Sequence, residues 1–200
     1  MQEVKTAIFD PKDGKPPYRL GVLLVLLNNA GEVFAGVRTD MPSDGKPWQL
    51  PQGGIKAFHI ENRLTGQESI EQAAKRELSE EVGTKVKAGI IAVGAQPIAF
   101  EFDRDHNSKY RGQMLTPVLM RFQGGTIDVS KIEEGDTKPA FSNYGWFTPA
   151  EILKNATAVK LSVYEQALAG FMPLVRGIEP VQPQTALYAN GKNMPKDFNL

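Results

Sequence analysis

The chain has 200 residues, 41% of them hydrophobic, which is enough for one domain with a proper core; no repeat or low-complexity block argues for more. Lysine plus arginine equals aspartate plus glutamate at 23 each, so no global field draws a long polyanion, although a local basic patch stays open. The absence of cysteine excludes disulfides, zinc–thiolate sites and thiol catalysis.

The start of the chain has no basic, apolar signal pattern. Its longest apolar run, 22–27, is far too short to span a bilayer, so the expectation is a soluble cytoplasmic protein with no membrane association. Residues 1–17 read as a short strand and a turn-rich lead-in through Asp10, Gly14, Pro16 and Pro17. The run 22–27 predicts a central strand. Asn28 to Gly31 then turn the chain into a second strand over 32–38, as in a hairpin. A polar loop over 39–47 leads to Trp48, Gln49, Leu50, Pro51, Gln52, Gly53 and Gly54. Residues 68–83 read as an amphipathic helix, with Ile70, Ala74, Leu78 and Val82 as its apolar stripe, Ser69 and Gln72 at capping-box spacing and Gly83 suited to its end. Strands are predicted over 90–93, 98–102, 114–122 and 144–147, with a charged loop at 103–109. Thr148 and Pro149 open a helix, a second helix runs over 161–175, and 177–200 form an extended C-terminal arm. On pattern alone the fold class is mixed α and β.

The chemistry concentrates in the helix at 68–83. At about 100° per residue, Glu77, Glu80 and Glu81 project from one side, where like charges repel and a bound cation would relieve the repulsion. A solvated face balanced by Lys75, Arg76 and Lys85 is the plainer alternative for such a helix. The flanking residues favour chemistry. Glu68, then Arg76, Glu77, Leu78, Glu80, Glu81 and Gly83, with Gly53 and Gly54 farther back, resemble the box of the Nudix hydrolase family.

That resemblance covers about residues 18–170 and implies an α/β/α sandwich with a mixed β-sheet, here over 18–176. It also implies a loop–helix–loop that holds Mg2+ (or Mn2+) on Glu77, Glu80 and Glu81 against a diphosphate. Magnesium suits this donor set, because it takes hard oxygen ligands from a few carboxylates, waters and phosphates. The resemblance further implies that Glu68 pairs with Arg76 to orient the helix, and that Gly53 and Gly54 let backbone approach metal and phosphates. In the family the first glycine stands about nine residues nearer its first glutamate than Gly53 does to Glu68. Residues 57–65 therefore read as an insertion: a surface loop, part of the substrate mouth, a lid or a partner contact.

Within the family, Tyr18 and Arg19, the stretch from Trp48 to Ile55, Arg111 to Gln113, and Gly145 with Trp146 look most like the dinucleoside polyphosphate and RNA pyrophosphohydrolase branch. Two positions depart from it. Alanine stands at 140 where a metal-binding glutamate aligns, with Glu133, Glu134 or Asp136 as substitutes, and Pro117 follows Gln113, suggesting an edge or a bulge. The implied reaction is magnesium-dependent hydrolysis of a phosphoanhydride, with a small nucleotide or an RNA 5′ end as substrate and a monomer or homodimer as the working unit. Alternatives are an ADP-ribose or nucleoside triphosphate pyrophosphatase and a non-catalytic nucleotide-sensing module. Candidate substrate contacts are Arg38, Trp48, Gln52, Gly53 and Gly54, with Lys56 a weaker one. The catalytic set is Glu77, Glu80, Glu81, Arg76 and Glu68, and the general base is open between Glu77 and Glu133 or Glu134. Trp48 also suits plain core packing, Tyr110 and Phe100 suit either base stacking or core, and His59 and His106 read as surface residues.

Overall fold

The computed structural model describes residues 2–40, 48–102, 109–132 and 137–175. In chain order its strands are β1 (Gln2–Thr6), β2 (Ile8–Phe9), β3 (Tyr18–Leu27), β4 (Val33–Arg38), β5 (Trp48–Gln49), β6 (Gln52–Gly54), β7 (Lys56–Ile60), β8 (Arg63–Gln67), β9 (Lys87–Val93), β10 (Ile98–Glu101), β11 (Gly112–Gly124) and β12 (Phe141–Phe147). The helices are α1 (Ile70–Glu77), α2 (Pro149–Lys154) and α3 (Ala158–Val175), and a π-helical turn over Leu78–Val82 continues α1.

The 22–27 run is buried on both faces because the sheet is covered on both sides. Leu23, Val25 and Leu27 point into a hydrophobic layer shared with Val163, Tyr164, Ala167, Leu168 and Phe171 of α3. Val22, Leu24 and Leu26 alternate into the opposite layer, shared with Ala73, Ala74, Leu78 and Val82. This is the expected α/β/α sandwich. The sheet is mixed: β11 runs parallel to β3, whereas β12–β4 and β10–β11 are antiparallel.

The expected hairpin of β3 and β4 is joined at a single pair, Leu27 with Val33. Above it the two strands part, β6 pairs with β3 at Gly21 to Leu23, and β5 pairs with β4 at Gly36 and Val37. Gln52, Gly53 and Gly54 are thereby set into the opening of the sheet, beside the helix that bears the carboxylates.

Pro117 lies inside β11, not at an edge. Its tolerance has a local reason: β10 pairs with β11 through Leu115 and β9 takes over from Val118, so Pro117 falls in the gap between two partners. Only its carbonyl is used on that side, accepting from the amide of Gly94 at 2.8 Å.

The inserted stretch is a β-hairpin rather than an irregular loop. β7 and β8 meet at a two-residue turn whose residues, Glu61 and Asn62, both have positive φ (50° and 64°), the backbone that suits tight hairpins. The lead-in supplies the third strand, with β1 paired to β7 from Gln2–Ile60 to Thr6–Lys56. The loop at 41–47, His106, Glu133, Glu134 and Asp136, and the arm from 177 lie outside the described residues. Among the described residues no helix is long and apolar enough to cross a membrane.

Candidate active site

α1 starts as its sequence dictates. Ser69 Oγ accepts from the amide of Gln72 (3.1 Å), and Gln72 Oε1 accepts from the amide of Ser69 (2.8 Å). Its end departs from the expected continuous helix: the Gly83 amide reaches back to the Leu78 carbonyl at 3.0 Å, a five-residue turn closed at a glycine with φ 136°. Glu77 closes the α-helical part, and Glu80 and Glu81 stand in the widened turn.

The three carboxylates have different partners. Glu77 and Glu80 turn to Arg76, whose Nη1 donates to Glu77 Oε1 (2.5 Å) and Glu80 Oε2 (2.6 Å). Glu81 Oε2 accepts from the backbone amide of Gln52 (2.8 Å), next to the Gly53 against which the Glu77 carboxyl rests, and its Oε1 lies 3.3 Å from Arg38 Nη1. Both Glu77 and Glu81 are buried, at 4% and 5% exposure, which a carboxylate tolerates only with such partners.

The pairing of Glu68 with Arg76 is present. Arg76 donates from Nε and Nη2 to the two oxygens of Glu68 (2.7 and 2.8 Å) and also from Nη2 to the Gly54 carbonyl (2.6 Å). Burial alone would raise the Glu68 pKa; the Arg76 hydrogen bonds and the Lys56 amide outweigh it and hold the carboxyl below its ordinary range. Burial likewise works against the Arg76 charge, yet Glu68, Glu77 and Glu80 hold its pKa above the ordinary arginine value.

The insertion leaves this arrangement whole because its hairpin is closed at the base. The Glu68 amide donates to the Lys56 carbonyl (2.8 Å) while the Lys56 amide donates to Glu68 Oε2 (2.9 Å). Lys56 is therefore more than solvated surface charge; its Nζ stands 3.8 Å from Glu80 Oε1.

The two glycines serve close packing of protein groups. A Cβ on Gly53 would run into the Glu77 carboxyl, and one on Gly54 would meet the guanidinium of Arg19. Other expected residues have further partners. Arg38 spends two hydrogen bonds on Asp40 (2.9 and 2.7 Å), and Trp48 packs edge-on against Phe147, centroids 4.7 Å apart, in the layer beneath α3 rather than against the carboxylates. Ala140 brings no carboxylate; its carbonyl accepts from the Thr39 amide. His59 is half-buried, not a surface residue, and its Nδ1 is buried with no hydrogen-bond partner.

One polar group at the site escapes the sequence reading. Lys160 is 7% exposed, donates to Gln52 Oε1 at 2.7 Å and lies 3.9 Å above the ring of Phe100. Gln52 completes the chain by donating from Nε2 to Gln113 Oε1 at 3.1 Å, so it links Glu81, through its backbone, to Lys160 and Gln113. Burial, reinforced by the Arg38 charge and opposed by Glu81, pulls the Lys160 ammonium down to about 7. A signal for it exists: Lys160 is in phase with Val163, Tyr164, Ala167, Leu168 and Phe171, a lysine on an otherwise apolar helix face. The helix begins at Ala158, three residues before its predicted start, which is why Lys160 falls outside the predicted face.

The donors suit a hard divalent cation in kind, since all are carboxylate oxygens beside a glycine backbone. Among the described residues, no three acidic or histidine side chains surround one point, because Arg76 and Arg38 engage them.

Comparison with known proteins agrees with this anatomy. The NUDIX domain profile matches residues 17–167. The RNA pyrophosphohydrolase of Dinoroseobacter shibae is 36% identical over 162 residues, covering 78% of this chain and 92% of that protein. The chloroplastic Nudix hydrolase 26 of Arabidopsis thaliana is 31% identical over 166 residues, covering 78% and 71%. Among solved structures, a NUDIX hydrolase from Nitrosomonas europaea superposes with a TM-score of 0.54 at 17% identity, covering 78% of this chain and 89% of that one, a likeness of fold.

Proposed function

Because this chain belongs to the Nudix hydrolase family, we propose that its carboxylate helix serves the magnesium-dependent hydrolysis of a phosphoanhydride, with a 5′-triphosphate RNA end or a dinucleoside polyphosphate as substrate. The observation that carries the reading is the single network joining Glu68, Arg76, Glu77 and Glu80 to the Gly54 carbonyl, with Glu81 tied to Gln52 next to it.

Glu77, Glu80 and Glu81 are the proposed metal ligands. Magnesium, when bound, supplies neutralisation of phosphate charge and activation of a water for attack at phosphorus. The remaining steps belong to the chain. Glu68 fixes Arg76, Arg76 fixes the Gly54 carbonyl and the Glu77 and Glu80 carboxyls, and the Gln52 amide fixes Glu81, so the acidic groups are held in place before substrate arrives. Arg38 and Lys160 are the cations adjoining this cluster from the sheet and from α3, placed to meet a polyphosphate. A phosphate beside Lys160 would favour its charged form and draw a proton onto it. Glu77, buried beside Gly53, stays a candidate base, as do Glu133 and Glu134. The RNA pyrophosphohydrolase relatives support the choice of substrate class.

Product analysis tests the reading. The purified protein is incubated with diadenosine tetraphosphate, a short 5′-triphosphate RNA, ADP-ribose and a deoxynucleoside triphosphate, with and without magnesium. Magnesium-dependent cleavage of one of the first two is expected; cleavage confined to ADP-ribose or the triphosphate, or none at all, would overturn it.

A further inference from the structure

The inserted hairpin has two faces of different character. Ala57 is 3% exposed and sits in the core layer under α1. Strand alternation puts Lys56, Phe58 and Ile60 on the other face, where the register adds Val4 opposite Phe58 and Gln2 opposite Ile60. Lys56 directs its ammonium to Glu80 at 3.8 Å, so this face begins at the carboxylate cluster. Outward from it, Phe58 is half-buried, Ile60 is 47% exposed and Val4 is 55% exposed, and none of the three belongs to either hydrophobic layer. At the ordinary strand rise, Phe58 and Ile60 lie about 7 Å and about 13 Å beyond Lys56, on the order of the span of one nucleoside past its phosphate.

A cation at the inner end and an aromatic ring flanked by aliphatic side chains at the outer end match a phosphate followed by a base. We propose that this face of β1 and β7 seats the distal nucleobase of a two-base substrate, stacked on Phe58 between Val4 and Ile60, with Lys56 on the phosphate chain. The proposal rests on the polyphosphate-hydrolase reading above and adds a specificity surface to it. Strand β1 has a role in it, because its pairing with β7 supplies Val4 and holds the hairpin stem that closes at Lys56 and Glu68. The tight turn at Glu61 and Asn62 and the pairing on both sides of β7 keep the face formed in the free protein.

The test compares diadenosine tetraphosphate with adenosine 5′-tetraphosphate, which lacks the second base, for wild type, Phe58→Ala and the surface variant Ile60→Ser. For wild type, KM is expected to be lower for the two-base substrate. Phe58→Ala should raise that KM about tenfold, within the range that one base–aromatic stack supplies, with kcat nearly unchanged and the one-base KM unmoved. Ile60→Ser should act in the same direction, more weakly, with an unaltered melting temperature. Equal effects on both substrates, or none on either, would overturn the inference while the hydrolase stands. A wild type that cleaves neither of these but cleaves a 5′-triphosphate RNA overturns this inference while the hydrolase stands; one that leaves the RNA intact as well overturns both. A wild-type dimer dissociated by Ile60→Ser would assign the face to a second copy of the chain and overturn it too.

Discussion

Glu68 grips Arg76 with both carboxylate oxygens, Oε1 at 2.7 Å from Nε and Oε2 at 2.8 Å from Nη2. The bidentate geometry fixes the plane of the guanidinium, and that plane in turn aims Nη1 at Glu77 and Glu80. Glu68→Gln should therefore lower kcat by about tenfold to hundredfold, as loss of a group that orients metal ligands does, and weaken magnesium more than substrate. Arg76→Lys should do the same, because a point charge cannot replace the fork. Either variant with full kcat at limiting magnesium would contradict this role. The lowered Glu68 pKa also has a pH consequence: its contribution to stability is present above the ordinary carboxylate pKa of about 4.3 and fades as pH falls through the lower folded value. Acid unfolding of Glu68→Gln should accordingly be less steep below about pH 4.

Gly53→Ala places a methyl where the Glu77 carboxyl now rests. Glu77 is 4% exposed and bonded to Arg76, so it cannot swing into solvent without leaving that partner. The expected result is a metal requirement shifted upward about tenfold or more, together with a lowered melting temperature, because the methyl displaces a buried, ion-paired carboxyl. An unchanged magnesium titration would show that Glu77 does not hold the ion.

Lys160 predicts a pH effect of the same direction in a higher window. With its folded pKa near 7 and an ordinary lysine near 10.4, the unfolded chain carries a proton that the folded protein lacks across that window. Stability should therefore rise with pH from about 7 to about 10, and below 7 the buried charge exacts its full cost. Lys160→Met should raise the melting temperature at pH 7 and flatten the rise, while raising KM for a polyphosphate. Thermal unfolding across pH checks the first part; a wild-type profile already flat would mean that the lysine titrates normally.

Much of this site is legible in the sequence because its determinants are local. The Ser69–Gln72 cap, the apolar stripe of the helix and the Glu68–Arg76 spacing all act within residues 68–82, and the continuous apolar run 22–27 marks the central strand. What escapes is set by distant partners. Trp48 suits a ligand contact or the core alike until its ring is seen edge-on to Phe147 in the layer beneath α3, and Pro117 suggests an edge or a bulge until β10 and β9 are seen to change over beside it. The π turn that carries Glu80 and Glu81 closes at Gly83, and Glu81 is held by the Gln52 amide, 29 residues back along the chain. Lys160 reaches Gln52 across 108 residues, and no local pattern announces that contact.

Everything proposed for the reaction rests on Glu77, Glu80 and Glu81 holding the metal. A magnesium titration of hydrolysis by wild type, Glu80→Gln and Glu81→Gln, on whichever polyphosphate the wild type cleaves, tests it most directly. Turnover should be at least about a hundredfold lower in both variants, with wild-type circular dichroism, because each loses a charge of the proposed metal site. Full activity in both, with the same magnesium dependence as wild type, would contradict it.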